Sequence, residues 1–147
     1  MKALISYISY SGNTEEIAEL LRDGLEENGY EAEMRFIEGE TTIDYVNYDL
    51  LFIGTFTWGQ GSVPDEMVPF IRQIKENPTN LYVFGSGDTQ FGGDALFCRA
   101  VDHIRNYLGC EYPGLKIEQS PRGSQEALVK EWLEGVMIDA KSKNIRA

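Results

Sequence analysis

The chain has 147 residues, 42% of them hydrophobic and 25% charged, which fits a single domain over residues 1–147 with a real core and excludes a disordered or fibrous protein. Lys and Arg total 13 against 24 Asp and Glu, a net charge of −11; such a surface repels nucleic acid and anionic membranes, and serves either solubility or encounter with basic protein patches. The longest apolar runs are strand-sized, arguing against a membrane span, and Met1-Lys2 leads straight into a core-like run without signal-peptide architecture.

The first strand is expected over Lys2 to Ile8. It feeds Ser9-Tyr10-Ser11-Gly12-Asn13-Thr14, a small polar loop without lysine or arginine, and then a helical period marked by Ile17, Leu20, Leu21 and Leu25 and stopped at Asn28-Gly29. A strand feeding a hydroxyl-rich loop at a helix N-terminus makes an anion site, because first-turn N–H groups lack partners and the helix dipole favours negative charge. Without a fixed cation the loop suits a permanently bound phosphate monoester, whose absence would leave the hydroxyls unpaired. The same residues read equally as ordinary helix capping. The loop is neither G-x-x-x-x-G-K-[ST] nor G-x-G-x-x-G.

A second strand is expected over Glu31 to Phe36 and a third over Asp49 to Thr55, with an undecided segment, Glu38 to Tyr48, between them. Leu50-Leu51-Phe52-Ile53-Gly54 and, in a fourth strand expected over Leu81 to Gly85, Leu81-Tyr82-Val83-Phe84 are continuous apolar runs, as parallel strands covered on both faces require. Met67, Phe70, Ile71 and Ile74 mark a helix after Pro64-Asp65-Glu66. Phe97, Ala100, Val101, Ile104 and Leu108 mark another, Leu115 to Glu118 reads as a weaker fifth strand, and Val129, Trp132, Leu133 and Val136 mark the last helix. Cys98 and Cys110 form no CxxC pair and share the chain with one histidine, His103; a reducing, cytoplasmic setting follows, and any metal would need carboxylates. Cys98 and His103 read as packing residues rather than catalytic ones.

Alternation of strand and helix predicts an α/β fold: a five-stranded parallel sheet of order 2-1-3-4-5 with helices on both faces. In such sheets a ligand lies beyond the carboxyl ends of the strands, at the switch point between the first and third. The loops there are distinctive together. After strand three comes Thr55-Phe56-Thr57-Trp58-Gly59-Gln60-Gly61, an indole between glycines; after strand four comes Gly85-Ser86-Gly87-Asp88-Thr89-Gln90-Phe91-Gly92-Gly93, an aromatic on a glycine-rich loop. Two aromatic plates and one anion cup describe a site for a flat heteroaromatic with a phosphate tail, although either aromatic alone reads as a loop anchor.

These residues carry a resemblance over nearly the whole chain: it is similar to the short-chain flavodoxins. The family's [ST]-x-[ST]-G-x-[ST] loop is met by Ser9, Ser11, Gly12 and Thr14, its T-W-G-x-G loop by Thr57, Trp58, Gly59 and Gly61, and its G-x-G-D-[ST]-x-aromatic loop by Gly85, Gly87, Asp88, Thr89 and Phe91. Phe97, Cys98, Ala100, Val101 and Asp102 continue the third motif, and the residues after Leu115 leave no room for the insertion of long-chain members. The resemblance implies noncovalently bound FMN and low-potential electron transfer between proteins. It implies cofactor contacts from Ser9, Tyr10, Ser11, Gly12, Asn13, Thr14, Thr55, Phe56, Thr57, Trp58, Gly59, Gln60, Ser86, Gly87, Asp88 and Phe91, with no catalytic residue and no metal.

By the same resemblance, reduction turns the Gly59 carbonyl toward the flavin N5–H. The chain departs from the family at Gln60, often acidic, at Phe91, usually tyrosine, and in a longer loop through Gly92 to Leu96. An acidic docking face of Asp65, Glu66, Asp88 and Asp94 would receive basic redox partners, such as a flavin reductase or a radical-generating or ribonucleotide reductase system, with the protein acting as a monomer. The alternative is a specialised flavodoxin-like activator of a manganese-dependent ribonucleotide reductase, to which Gln60 and Gly92-Gly93 lend themselves. A response regulator is excluded, for want of the acidic residues its phosphorylation needs after strands one and three, and an FMN-dependent quinone or azo-compound reductase would need a substrate pocket and more chain.

Overall fold

The computed structural model describes residues 1–10, 12–38, 47–57, 63–74, 80–87, 98–118, 121 and 123–146. The elements run β1 (Lys2–Tyr7), α1 (Asn13–Glu27), β2 (Glu31–Phe36), β3 (Leu50–Phe56), α2 (Met67–Ile71), β4 (Leu81–Gly87), α3 (Arg99–Leu108), β5 (Leu115–Glu118) and α4 (Ser124–Arg146). The strands form one parallel sheet in the order β2-β1-β3-β4-β5, as expected. Most of the undecided Glu38 to Tyr48 segment lies outside the described residues.

Period-two alternation sorts each strand onto two apolar layers. Ala3, Ile5 and Tyr7 of β1, Leu50 and Phe52 of β3, and Tyr82 and Phe84 of β4 pack with α1 and α4. Leu4, Leu51, Ile53, Leu81 and Val83 pack with α2 and α3 on the other face. The central strands β3 and β4 are buried nearly end to end, which explains their continuous apolar runs. β2, at the edge, alternates exposed Glu31 and Glu33 with half-buried Ala32 and Met34; charge there guards an open edge against strand addition.

Beyond one-residue shifts at the end of β1 and at both ends of β3, three boundaries differ from expectation. β4 continues through Ser86 and Gly87, because those residues pair with Ile117 and Glu118 of β5 and so stay in the ladder. α2 stops at Ile71: Gln73 and Ile74 donate to Phe70 and Ile71, the tighter i→i−3 pattern, while Ile74 stays buried. α3 starts at Arg99, since Cys98 sits at φ +50° and cannot be helical. Gly29, at φ +85°, ends the first helical stretch as the Asn28-Gly29 signal requires.

Candidate functional site

β1, β3 and β4 are parallel, so Tyr7, Phe56 and Gly87 finish on one edge of the sheet and deliver the three loops to it. Ile8, still buried, donates its N–H to the Gly54 carbonyl at 3.0 Å, and the chain leaves the sheet at Ser9. Ser9 Oγ accepts the Gly12 N–H at 3.0 Å and so keeps its own proton for another acceptor. Gly12 is the N-cap of α1, at φ +91°, and its carbonyl receives the Glu16 N–H at 3.0 Å. A side chain at that φ would be strained, while a Cβ there would meet nothing within 4 Å among the described residues. Among those residues the start of α1 is therefore open beside Gly12.

Of the two readings of this loop, capping by its N-cap side chain falls away, because that position is occupied by a glycine and carries no side-chain cap. The expectation that the loop hydroxyls stand unpaired without a phosphate is also corrected. Thr14 is 1% exposed. Its Oγ1 lies 2.8 Å from Ser86 Oγ and 3.3 Å from the Thr55 carbonyl oxygen, so it points into the sheet. A carbonyl can only accept, which makes Thr14 the donor to Thr55 and Ser86 the donor to Thr14.

A second hydroxyl ties the other loops together. Thr57 Oγ1 accepts the Ala100 N–H at 3.2 Å, joining the segment after β3 to the first turn of α3. Gly85 and Gly87 permit this closeness: a Cβ at Gly85 would stand 2.7 Å from the Thr55 carbonyl oxygen, and one at Gly87 2.9 Å from the Cys98 nitrogen. Cys98 is buried, with Sγ 3.7 Å from the carbonyl oxygens of Gly85 and Ile117. Burial pushes its thiol up to about 12, so it is a protonated packing group at neutral pH and no nucleophile. His103 is exposed on α3, so packing describes Cys98 alone.

Tyr10 stands at the rim, 60% exposed. Its ring lies 4.9 Å from that of Phe56, tilted by 50°, and its hydroxyl donates to the Glu66 carboxylate. This contact between the first loop and the start of α2 had no signature in the sequence, nor did the Thr57 link to α3, since both join residues far apart in the chain. Ser11, Trp58, Gly59, Gln60, Asp88 and Phe91 lie outside the described residues. Ser9, Tyr10, Gly12, Asn13, Thr14, Thr55, Phe56, Thr57, Ser86 and Gly87 are all brought to the one edge of the sheet.

A phosphate monoester fits this edge. The helix start is open, its cap carries no competing side chain, Ser9 retains a proton to donate, and neither Lys nor Arg occurs from Ser9 to Thr14. Among the described residues no group of acidic, His or Cys side chains could hold a metal ion, and no helix is long and apolar enough to cross a membrane.

Comparison with known proteins agrees with this geometry. The sequence model of the family described as Flavodoxin matches residues 5–132. The chain is 35% identical over 135 residues to the probable flavodoxin 2 of Bacillus subtilis, covering 85% of this chain and 87% of that protein. To the probable flavodoxin 1 of the same organism it is 38% identical over 133 residues, covering 85% and 82%. Its fold superimposes on the crystal structure of oxidised flavodoxin 2 from Bacillus cereus with a TM-score of 0.79 at 32% identity, over 97% of this chain and 99% of the other.

Proposed function

The chain belongs to the flavodoxin family and is an FMN-binding electron-transfer protein, and from that premise we propose that the edge formed by β1, β3 and β4 is where it holds the cofactor. The loop from Ser9 to Thr14 takes the phosphate at the start of α1. Thr55, Phe56, Thr57, Trp58, Gly59 and Gln60 border the flavin from the β3 side, and Ser86, Gly87, Asp88 and Phe91 from the β4 side, with Trp58 and Phe91 as the plates. The observation that carries this reading is the open, glycine-capped start of α1 at the carboxyl end of β1. It lies at the switch point between β1 and β3, where a parallel sheet of this order offers its crevice.

FMN, when bound, supplies the redox chemistry, and the protein supplies position and field. A chain of net charge −11 whose phosphate loop has no cation disfavours added negative charge nearby; we read this as the basis of a low potential. The chain itself catalyses no bond-making step in this reading. It is a single-domain monomer that carries electrons between partners with basic docking faces, flavin reductases and radical-generating or ribonucleotide reductase systems among them. Its two free thiols suit a reducing cytoplasm.

The test is a titration of the apoprotein with FMN and with riboflavin, which differ by the phosphate. Hydrogen bonds to a charged group contribute about 1.5–3 kcal/mol each, so FMN should bind at least about tenfold more tightly. Equal affinities would remove the phosphate from the Ser9–Thr14 loop.

A further inference from the structure

Between α4 and the sheet, aromatic rings and a proton acceptor stand together. Tyr82 of β4 is 1% exposed, and its phenol donates to Asp139 Oδ2 of α4 at 2.7 Å. The same oxygen faces Lys143 Nζ at 2.8 Å. Both contacts call for the carboxylate form, so a base is already hydrogen-bonded to the phenol. The Trp132 indole meets the Tyr82 ring edge-on, with centroids 6.4 Å apart, and it is only half-buried, so it reaches solvent. Its N–H donates to the Pro113 carbonyl at 2.8 Å, an acceptor that cannot take the proton away. Tyr112 touches both rings, at 5.4 and 6.3 Å, but it has no carboxylate bonded to its hydroxyl among the described residues.

We propose that Tyr82 is a one-electron redox site, with Asp139 as its proton acceptor and Trp132 as its surface relay: a drain that takes oxidising equivalents from small radical oxidants in solution and holds them as a buried tyrosyl radical. The oxidant takes one electron from the Trp132 indole and leaves as its anion. With its N–H held by a carbonyl, the indole stays a radical cation. It then takes one electron from the Tyr82 ring while the phenol O–H bond breaks and the proton crosses to Asp139. The indole is neutral again, and a phenoxyl radical and a neutral carboxyl group remain. One electron from a reductant of the ascorbate class closes the cycle, Asp139 returning the proton. Tyr82 lies four residues from Ser86, about 13 Å along β4 at ~3.3 Å per residue, so the drain is independent of what the carboxyl edge of the sheet holds.

The experiment is pulse radiolysis of the FMN-loaded protein in azide solution, where the azide radical is the oxidant, with the indolyl and phenoxyl absorption bands followed in time. The parent should show the indolyl band decaying as the phenoxyl band grows, at a rate independent of protein concentration. That phase should vanish in Trp132→Phe and in Tyr82→Phe, and persist in Tyr112→Phe. In Asp139→Asn, which keeps the shape but removes the base, it should slow roughly tenfold or more, as the loss of a charge-assisted hydrogen bond would give. Peptide mapping after oxidation should find severalfold more covalently oxidised Trp132 in Tyr82→Phe than in the parent.

A parent without the intramolecular phase would reduce the cluster to packing and overturn the drain. Survival of the phase in Tyr82→Phe would move the radical to another tyrosine, and an unchanged rate in Asp139→Asn would deny Asp139 the proton; either overturns it. If a variant does not fold, the parent decides alone: the phase must slow in D2O, because the phenol proton moves with the electron, and equal rates in H2O and D2O would refute the coupled step.

Discussion

Tyr82 and Ser86 project from one strand toward the same face of the sheet, and each buries a hydroxyl, yet the two ends of β4 are finished in opposite ways. The Tyr82 hydroxyl donates to Asp139 at 2.7 Å, and Lys143 pairs with the same carboxylate at 2.8 Å while lying 5.2 Å from the Tyr82 ring centroid. Tyr112 and Trp132 meet that ring edge-on at 5.4 and 6.4 Å, and the Trp132 indole N–H donates to the Pro113 carbonyl at 2.8 Å. Bulk, a charge pair and satisfied polar tips fasten α4 to the sheet. At Ser86 the hydroxyl meets one small neutral group, the Thr14 hydroxyl, which in turn donates to the Thr55 carbonyl.

Charge explains the contrast. At an effective dielectric of about 20 and ~4 Å, a carboxylate would repel each unit of phosphate charge by about 4 kcal/mol, more than a hydrogen bond to it would return. On the proposed reading, the carboxyl end of β4 is built around a guest and the amino end around the chain itself. Substitutions near Tyr82 should be read in stability, and substitutions near Ser86 in binding.

The hardest test of that division is Gly54, which faces Phe84, midway between Tyr82 and Ser86. A Cβ on Gly54 would stand 2.3 Å from the Phe84 ring, which occupies the space the glycine leaves. Gly54→Ala should cost about 3 kcal/mol, the upper range for overpacking, lowering the melting temperature by roughly 6–12 °C for a chain of this size. Adding Phe84→Leu should lose less than the two single changes together, because the smaller side chain gives the new methyl room. Melting like the parent's in Gly54→Ala would mean that Phe84 is not locked and that the two ends of β4 are not separated by a rigid wall.

The sheet order was legible because its signal is local and periodic: β3 and β4 carry continuous apolar runs, α1 has Ile17, Leu21 and Leu25 on one face, and Gly29 ends it. The edge proposed for the site could be read for the same reason, since strand order alone designates the carboxyl edge of β1, β3 and β4. What each hydroxyl does there was not. Thr14 and Ser86 read as equivalent members of a hydroxyl-rich set, and only the fold shows them turned to each other. The Tyr10–Glu66 and Thr57–Ala100 links were invisible because nothing in a linear pattern pairs residues that far apart. The end of β4 was misjudged at Gly85 because Ser86 and Gly87 look like turn residues until β5 supplies their partners.

Alkaline pH sharpens the comparison, because each end of β4 has a group that holds its proton more tightly when folded. Burial, then the bond to Asp139, raises Tyr82 above its ordinary 10.0, and burial raises Cys98 from 9.0 to about 12. For such groups the unfolded chain releases its proton first, so their stabilisation is complete below the ordinary value and is lost as pH rises through the folded one. Cys98 alone should withdraw on the order of 2 kcal/mol between pH 9 and 11. Urea midpoints at pH 8 and pH 11 should fall for the parent and fall less for Cys98→Ala and for Tyr82→Phe. A Cys98→Ala variant as alkali-sensitive as the parent would show that the thiol is not held in its buried setting next to Gly87.

The smallest effect expected in stability belongs to the rim. Asp65 and Glu66 precede α2 side by side, with equal charge and unequal attachments: Glu66 accepts the Tyr10 hydroxyl, whereas Asp65 is exposed. Reversing Glu66 would disturb the first loop as well as the field, so Asp65→Lys is the cleaner probe of docking charge. Its melting temperature should stay within about 0.5 kcal/mol of the parent's in free-energy terms, as surface changes do. Its association rate with a cationic redox protein, a basic cytochrome for instance, should fall severalfold at ~0.01 M salt, where the screening length is about 30 Å, and converge on the parent's near 1 M, where it is about 3 Å. Stopped-flow rates across that salt series decide the matter. Rates equal at low salt would free Asp65 from any part in docking, and a fall in melting temperature would place it with Tyr82 among the residues that serve the fold.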